Sequence, residues 1–427
     1  MFDPQAEAMS REQRAELQRD RLRSLIDRLL TAGGPQGKRL RDTGVGGGAN
    51  VALSDLSSLP TTTRQDLWDA YPFGMVLVPQ DRVAAVHGSS GTRGRPTLVA
   101  YSRNDLELWS RMCARSLACA GATRESIVHN AYGYGLFTGG LGIHQGALAL
   151  GATVVPMSGG MTERQIRMLT DLGADILTCT PSYAVRLGEA IAEAGVTLPL
   201  RAGLFGAEPW SAELRATIEG LLPLRALDIY GLSEVIGPGV ATECLEQNGL
   251  HVNEDHFIVE AIDPASGEPV PEGTPGELVF TTPTKEALPL LRYRSGDIAS
   301  LSYDPCPCGR TLVRMSKVLG RADDMIVIRG VNVYPTEVER VLLGFAQIEP
   351  HYQLVIDRRQ AMPRLVVACE ATADLSRERV GQTLYERLGL HADVRILPTG
   401  TVPRVEIGKA VRVVTWESGA APLPGLD

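Results

Sequence analysis

Residues His87 to Ser102, HGSSGTRGRPTLVAYS, crowd glycines, hydroxyls and two arginines into one short stretch. Gly88, Gly91 and Gly94 free the backbone to turn its N–H groups toward an anion, and Ser89, Ser90, Thr92 and Thr97 add hydroxyl donors. Arg93 and Arg95 add positive charge. The set suits a polyphosphate, and a solvated Ser/Gly turn shares its composition. A P-loop would need G-x-x-x-x-G-K-[ST] between a strand and a helix. Here no Lys-Ser or Lys-Thr follows, and apolar runs flank the stretch at Val83–Val86 and Thr97–Tyr101, so it reads as a loop joining two strands. A second group is Cys244, His251, Cys306 and Cys308, the last two in a tight C-x-C turn. If their segments meet, three thiolates and an imidazole make a closed tetrahedral zinc site; if not, they are reduced cysteines and a satisfied histidine.

The elements that must position these groups follow from periodicity. Ser10 caps an amphipathic helix to Leu30, whose interleaved acids and bases favour packing on a protein surface over membrane binding. Gly33–Ala49 reads as a loose connection, followed by a short helix after Leu59–Asp66. From Ser102 to Tyr230 helices alternate with strands: helix to Ala120, strand 126–129, helix 139–150, strand 153–157, helix 162–172, strand 175–179, helix 182–194, strand 202–205, helix 211–222 and strand 226–230. This alternation implies a parallel α/β sheet, with ligands beyond the carboxyl ends of its strands. Gly206-Ala207-Glu208 and Tyr230-Gly231-Leu232-Ser233-Glu234 fall at two such ends. Segments 252–262, 276–282 and 290–301 read as strands of a mostly-β portion. Beyond Gly320 comes a small α+β segment with helices 335–343 and 375–388 and strands 352–356, 365–371 and 394–396. The fold class is therefore α/β: a large N-terminal domain over 1–321 and a small C-terminal domain over 322–427, divided near Arg321–Asp323.

With a net charge of −8, the 427-residue chain argues against a nucleic-acid partner. It shows no signal-peptide core and no apolar run long enough to span a membrane. Seven cysteines in a long chain point to reduced thiols and a cytoplasmic location.

Ten segments in order carry a resemblance: HGSSGTRGRPT, NAYGYGLFTGGLGIHQGA, PMSGGMTERQ, CTPSYA, FGAEPW, DIYGLSEVIGPGVATEC, GELVFTT, RYRSGDI, GRADDMIVIRGVNVYPTEVE and PRVEIGKAVRV. From about Pro60 to Val414 the chain resembles the acyl-adenylate-forming (ANL) ligases, and among them the phenylacetate–CoA ligase family. The resemblance implies activation of an aryl or arylacetic acid by ATP and Mg²⁺, then transfer to coenzyme A. Alternatives are delivery to a carrier-protein phosphopantetheine or an amine, and a homologue that binds nucleotide without turnover. A homodimer is also left open.

The resemblance assigns residues as follows. Ser89, Ser90, Gly91, Thr92 and Gly94 would cradle phosphates; Gly206, Ala207, Glu208 and Pro209 would form the adenine-side turn. Tyr230 would stack on adenine in a segment that also brings Asp228, Gly231 and Ser233 to the nucleotide, and Glu234 would hold Mg²⁺. Asp297 would accept the ribose hydroxyls. Arg321 would reach the ribose or α-phosphate, or serve as an interdomain salt bridge. Lys409 would neutralise charge at the α-phosphorus. The small domain would be mobile, rotating about Asp323 between two half-reactions and bringing Gly330 to the pantetheine arm. Tyr132, Tyr134, Gly135, Phe137 and Gly140 would wall an acyl pocket closed by Phe205, Ile236, Gly237 and Pro238. The family's segments around Cys244, His251, Cys306 and Cys308 are similar, in keeping with a structural Zn²⁺. Arg93 and Arg95 depart from the family's usual Thr and Lys. The first sixty residues match only loosely, and they bear on acid identity and assembly in relatives.

Overall fold

The helix–strand alternation after Ser102 builds the parallel half of a nine-stranded sheet in the computed structural model, which describes residues 1–89, 96–322, 325–328, 331–359 and 363–426. Thr153–Pro156, Ile127–Asn130, Ile176–Cys179, Ala202–Gly206 and Arg225–Leu232 lie side by side in that order, all parallel. The inner strands are apolar on both faces, as a doubly covered sheet demands. On one face Leu177, Cys179, Phe205 and Ala226 pack against helices Pro181–Ala194 and Ala212–Leu221 through Tyr183, Leu187, Leu214 and Ile218. On the other, Val128, Leu204, Leu227 and Ile229 meet Leu117, Ile143 and Ala147 of helices Arg103–Cys119 and Gly139–Leu150.

Beyond Leu232 the sheet turns antiparallel through Gly237–Glu243, Leu250–Val252, Arg314–Met315 and Leu301–Ser302. A four-stranded sheet of Ile258–Ile262, Gly276–Thr281, Tyr293–Ala299 and Gly320–Arg321 completes the mostly-β portion. The expected strand 252–262 is split because Asn253 to Phe257 form a turn. Its polar side chains point inward: Asn253 donates to Gly239 O at 2.8 Å, and Asp255 pairs with Arg115. The expected loose connection 33–49 instead contains helix Pro35–Asp42, started by Pro35 and anchored by buried Leu40. Proline at a first helical position carries no penalty, since its missing N–H would be unpaired anyway.

The N-terminal helix Arg11–Ala32 opens with a capping box between Ser10 and Gln13 and buries Leu22, Leu25, Ile26 and Leu29 against Val51, Leu56, Ile258 and Leu291. No helix among the described residues is long and apolar enough to cross a membrane. The C-terminal segment forms a four-stranded sheet, Ala392–Leu397, Arg364–Ala371, Ile348–Asp357 and Val413–Trp416, backed by helices Pro335–Leu343 and Arg377–Leu388. Its last strand, parallel to Ile348–Asp357, was not expected from the sequence.

Candidate active site

The arginine- and glycine-rich stretch is flanked, as expected, by two antiparallel strands, Ala85–Gly88 and Leu98–Tyr101. Ser89 N donates to Thr97 O at 3.1 Å, and Thr97 N to Ser89 Oγ at 3.3 Å, so the two strands stay paired as far as Ser89 and Thr97. Ser90, Gly91, Thr92, Arg93, Gly94 and Arg95 lie outside the described residues, as do Asp323 and Gly330.

Strands Ala202–Gly206 and Arg225–Leu232 deliver the next groups to a common edge, with Gly206 paired to Ile229. A Cβ on Gly206 would stand 2.0 Å from Ile229 O, so only glycine fits there. Ala207 follows in the left-handed region at φ 72°, uncommon for a residue with a Cβ. Past this turn Glu208 Oε1 accepts the Ser182 amide at 2.7 Å and Oε2 accepts the Ala410 amide at 2.9 Å. Glu208 thus joins the large domain to the residue following Lys409.

Tyr230 packs face to face on Phe280, its centroid 5.8 Å away, and donates its hydroxyl to Asp297 Oδ2 at 2.6 Å. Arg321 Nη1 donates to Asp297 Oδ1 at 2.9 Å. Burial pushes the Asp297 carboxyl up, against the pull of Arg321, Tyr230 and Lys409. Glu234 is buried, and its Oε1 has no hydrogen-bond partner among the described residues, with Arg64 Nε 3.7 Å away. A buried carboxylate oxygen without a donor suits a hard divalent cation, so this residue fits Mg²⁺.

Lys409 is exposed, yet the protein around it pushes its ammonium pKa down by desolvation. Glu208, Asp297 and Glu234 oppose that shift, and Arg321 adds to it. One lysine therefore feels three of the carboxylates and the arginine assigned to this site, from segments up to two hundred residues away in sequence.

Other expected residues stand differently. Asp228 faces the chain's own Lys317, 3.9 Å from its Nζ, with the Lys317 ammonium 3.2 Å from the centre of the Trp210 ring. Burial raises the Asp228 pKa and lowers that of Lys317. Phe205 and Ile236 expose no surface, which puts them behind a pocket wall rather than on it. Tyr132 is also buried, its hydroxyl toward Leu204 O at 3.4 Å. Tyr134 is half-buried and accepts from Asn130 Nδ2 at 2.8 Å, while Phe137 is 49% exposed and Gly135 is open. Gly140 leaves room for the chain itself: a Cβ there would lie 2.6 Å from Gly133 O. Pro238 O accepts from Trp109 Nε1 at 3.0 Å, and Gly231 pairs with Pro238 and Leu232 with Gly237 across the turn that carries Ser233 and Glu234. Ser233 O accepts from Tyr101 OH at 3.3 Å, and Pro209 is exposed.

Sequence reasoning missed Lys285. It is buried, donates to Glu234 O at 3.1 Å and stands 4.8 Å from the centre of the Tyr101 ring. Burial lowers its pKa to about 8, against the pull of Asp105 and Glu234. The one available signal was a lysine abutting the apolar run ALPLL.

The cysteine segments do meet. The ligand atoms of Cys244, His251, Cys306 and Cys308 all lie within 4.8 Å of one another. Cys244 Sγ is 3.7 Å from Cys306 Sγ, and Cys308 Sγ is 3.4 Å from His251 Nε2. Tetrahedral zinc with bonds of about 2.3 Å to sulfur and about 2.0 Å to nitrogen has edges of about 3.8 Å and about 3.5 Å. The donor set and spacing fit, and four protein ligands leave no open position for catalysis.

Residues 34–285 match the AMP-binding enzyme family model, and residues 330–415 match the AMP-binding enzyme C-terminal domain. The chain is 46% identical over 440 residues to a phenylacetate–coenzyme A ligase of Thermus thermophilus, covering 97% of this chain and 99% of that one. Its fold superposes on 2-hydroxyisobutyryl-CoA ligase in the postadenylation state with R3-HIB-AMP at a TM-score of 0.89, with 26% identity over 96% of this chain and 91% of that one. Against the same ligase in the thioesterification state with 2-HIB-AMP and CoA, the TM-score is 0.72, at 27% identity and the same coverage. The domain arrangement described above is thus closer to the postadenylation state.

Proposed function

The chain belongs to the AMP-binding enzyme family, among the phenylacetate–coenzyme A ligases and their relatives, and from that premise we propose that it activates an aryl or arylacetic acid as its adenylate and passes the acyl group to coenzyme A. The observation that carries the reading is the cluster formed by Asp297, held by Tyr230 and Arg321, and by Glu208, which accepts the amide of Ala410 next to Lys409.

In the first half-reaction a carboxylate oxygen of the acid attacks the α-phosphorus of ATP, the bond to the bridging oxygen breaks, and pyrophosphate leaves. Lys409 supplies a cation between the two anions and stabilises charge building on phosphorus. Asp297, held by Tyr230 and Arg321, accepts from the ribose hydroxyls, and the loop after Ser89 binds the phosphates. Mg²⁺, held through Glu234, would neutralise the departing pyrophosphate. In the second half-reaction the CoA thiolate attacks the acyl carbon and AMP leaves. The division into a large domain, 1–321, and a lid, 322–427, belongs to this reading, with Asp323 as pivot and Gly330 at the thiol passage.

The acid would enter beside Tyr134, Gly135 and Phe137, where aromatic surface is open, with Tyr132, Phe205 and Ile236 as backing. Cys244, His251, Cys306 and Cys308 would hold a structural Zn²⁺. A cytoplasmic location is supported by seven thiols, none paired in a disulfide.

The test is pyrophosphate release with ATP, Mg²⁺ and a panel of phenylacetates, benzoates and cinnamates, with and without CoA. Acid-dependent release with an acyl-CoA product is the expected result. Release without a thioester would move the acceptor to a carrier protein or an amine, and no release with any acid would overturn the reading.

A further inference from the structure

The segment bearing Lys409 is an arch whose feet stand on its own domain. Arg404 forks onto Glu370 at 2.8 and 3.0 Å, and the Glu370 carboxylate also takes the Gly400 and Val402 amides. At the other foot Arg412 stands 4.3 Å from the centre of the Tyr352 ring and 3.8 Å from Glu339. The crown, residues 406–410, hydrogen-bonds to the large domain. There Glu406 Oε1 accepts from Arg186 Nε at 3.0 Å and Oε2 from Thr162 Oγ1 at 2.8 Å. Thr162 opens one helix of the large domain and Arg186 lies in the next. Tyr183 OH donates to Gly160 O at 3.2 Å, and a Cβ on Gly160 would stand 3.0 Å from the side chain of Ile407. Three residues beyond Glu406, the Lys409 ammonium feels Glu208, Asp297 and Glu234.

Nothing in the chemistry of acyl transfer uses Glu406, Thr162 or Arg186. Arg186 and Thr162 bind the crown and not the feet, so they constrain where Lys409 sits, and Thr162 Oγ1 also lies 3.3 Å from Tyr183 OH within the large domain. We propose that Glu406, held by Arg186 and Thr162, is a positioning latch that keeps Lys409 at the site for adenylation and lets go before thioester formation. The inference rests on the adenylating reading above. The pair is partly exposed, 28% for Arg186 and 47% for Glu406, which suits a contact made and broken each turnover. A fully buried pair would cost more to separate.

The experiment measures the two half-reactions separately in wild type, Arg186→Ala, Arg186→Lys and Glu406→Gln, with small-angle scattering on each. Arg186→Ala is expected to slow pyrophosphate release about fivefold at saturating ATP and acid, as befits an exposed pair. Thioester formation from supplied acyl-adenylate and CoA should be unchanged or faster, which also shows that the variant is folded. Arg186→Lys should recover most of the loss. Scattering of Arg186→Ala should shift away from the wild-type arrangement without any turnover. Equal loss in both half-reactions, or identical scattering and unchanged rates, would overturn the latch. A wild type that releases no pyrophosphate would overturn the ligase reading instead, and scattering would still decide the latch.

Discussion

Tyr230 and Asp297 share a 2.6 Å hydrogen bond although they belong to different sheets, Tyr230 to the nine-stranded one and Asp297 to the four-stranded one. The bond fixes the carboxylate that would meet the ribose, and Arg321 holds its other oxygen. A hydrogen bond to a buried carboxylate contributes about 1.5–3 kcal/mol, so Tyr230→Phe should raise the KM for ATP roughly tenfold. The kcat at saturating ATP should change little. Steady-state pyrophosphate release checks this, and a fall in kcat with unchanged KM would remove the positioning role.

Lys409→Ala removes the ammonium that the crown of the arch holds among Glu208, Asp297 and Glu234. Adenylation should fall by at least about a hundredfold, the scale of losing a preorganised charge at the reacting centre. Thioester formation from supplied acyl-adenylate should persist, because Lys409 then has no phosphoryl charge to stabilise. Equal loss of both half-reactions would contradict the assignment.

The parallel sheet and the ends where Glu208 and Glu234 emerge were legible because local apolar periodicity encodes elements. Long-range pairing was less so. His251 reaches the Cys306–Cys308 turn because Leu250–Val252 pairs with Arg314–Met315, a register that no local pattern announces. The glycines of GGLGIHQGA are ambiguous for a different reason. A glycine records only that a side chain is absent, and not whether ligand or protein fills the space. Here Gly142 and Gly146 admit Trp109 and Cys113, whose atoms a Cβ would approach to 2.5 and 2.4 Å. Glu406 was passed over because a charged residue in a loop ordinarily faces water. Its partners Thr162 and Arg186 lie more than two hundred residues earlier.

Glu234→Gln keeps the shape of a buried side chain whose Oε1 has no partner among the described residues, and removes its charge. Weaker Mg²⁺ binding follows. The Mg²⁺ concentration for half-maximal pyrophosphate release should rise about tenfold, while acid-independent binding of ATP without metal should stay the same. Titration of wild type and variant with Mg²⁺ decides it, and an unchanged midpoint would place the metal elsewhere.

Purified protein should carry about one zinc per chain by metal analysis, given the four-ligand set. Chelation, or Cys308→Ser, should lower the melting temperature while leaving the residual specific activity of folded enzyme intact, because a closed site has no catalytic position. Metal-free protein of full stability would remove the site.

Acid stability should depend on Asp255. Its two oxygens accept from Arg115 Nη1 and Nη2 at 2.8 and 2.9 Å, and Arg115 also takes Asp3 at 2.9 Å, tying the N-terminus to the turn that splits the expected strand. Burial alone would raise the Asp255 pKa, but the Arg115 hydrogen bonds, with His256 and Arg21, hold it down at about 2. A carboxylate depressed in the folded state stabilises it above its unfolded pKa of about 3.9, and the contribution is lost as the pH falls from about 4 toward 2. At about 1.4 kcal/mol per pH unit, the linkage contributes about 2–3 kcal/mol at neutral pH. Asp255→Asn also leaves buried Arg115 with only the more exposed Asp3 as counter-charge, so the loss at pH 7 should exceed the linkage contribution and reach about 3–5 kcal/mol. Urea unfolding at pH 7, 4 and 3 should show the gap between wild type and variant constant down to about pH 4, then narrowing as the wild-type carboxyl takes up its proton. A gap that stays the same at pH 3 would mean that Asp255 acts through packing alone.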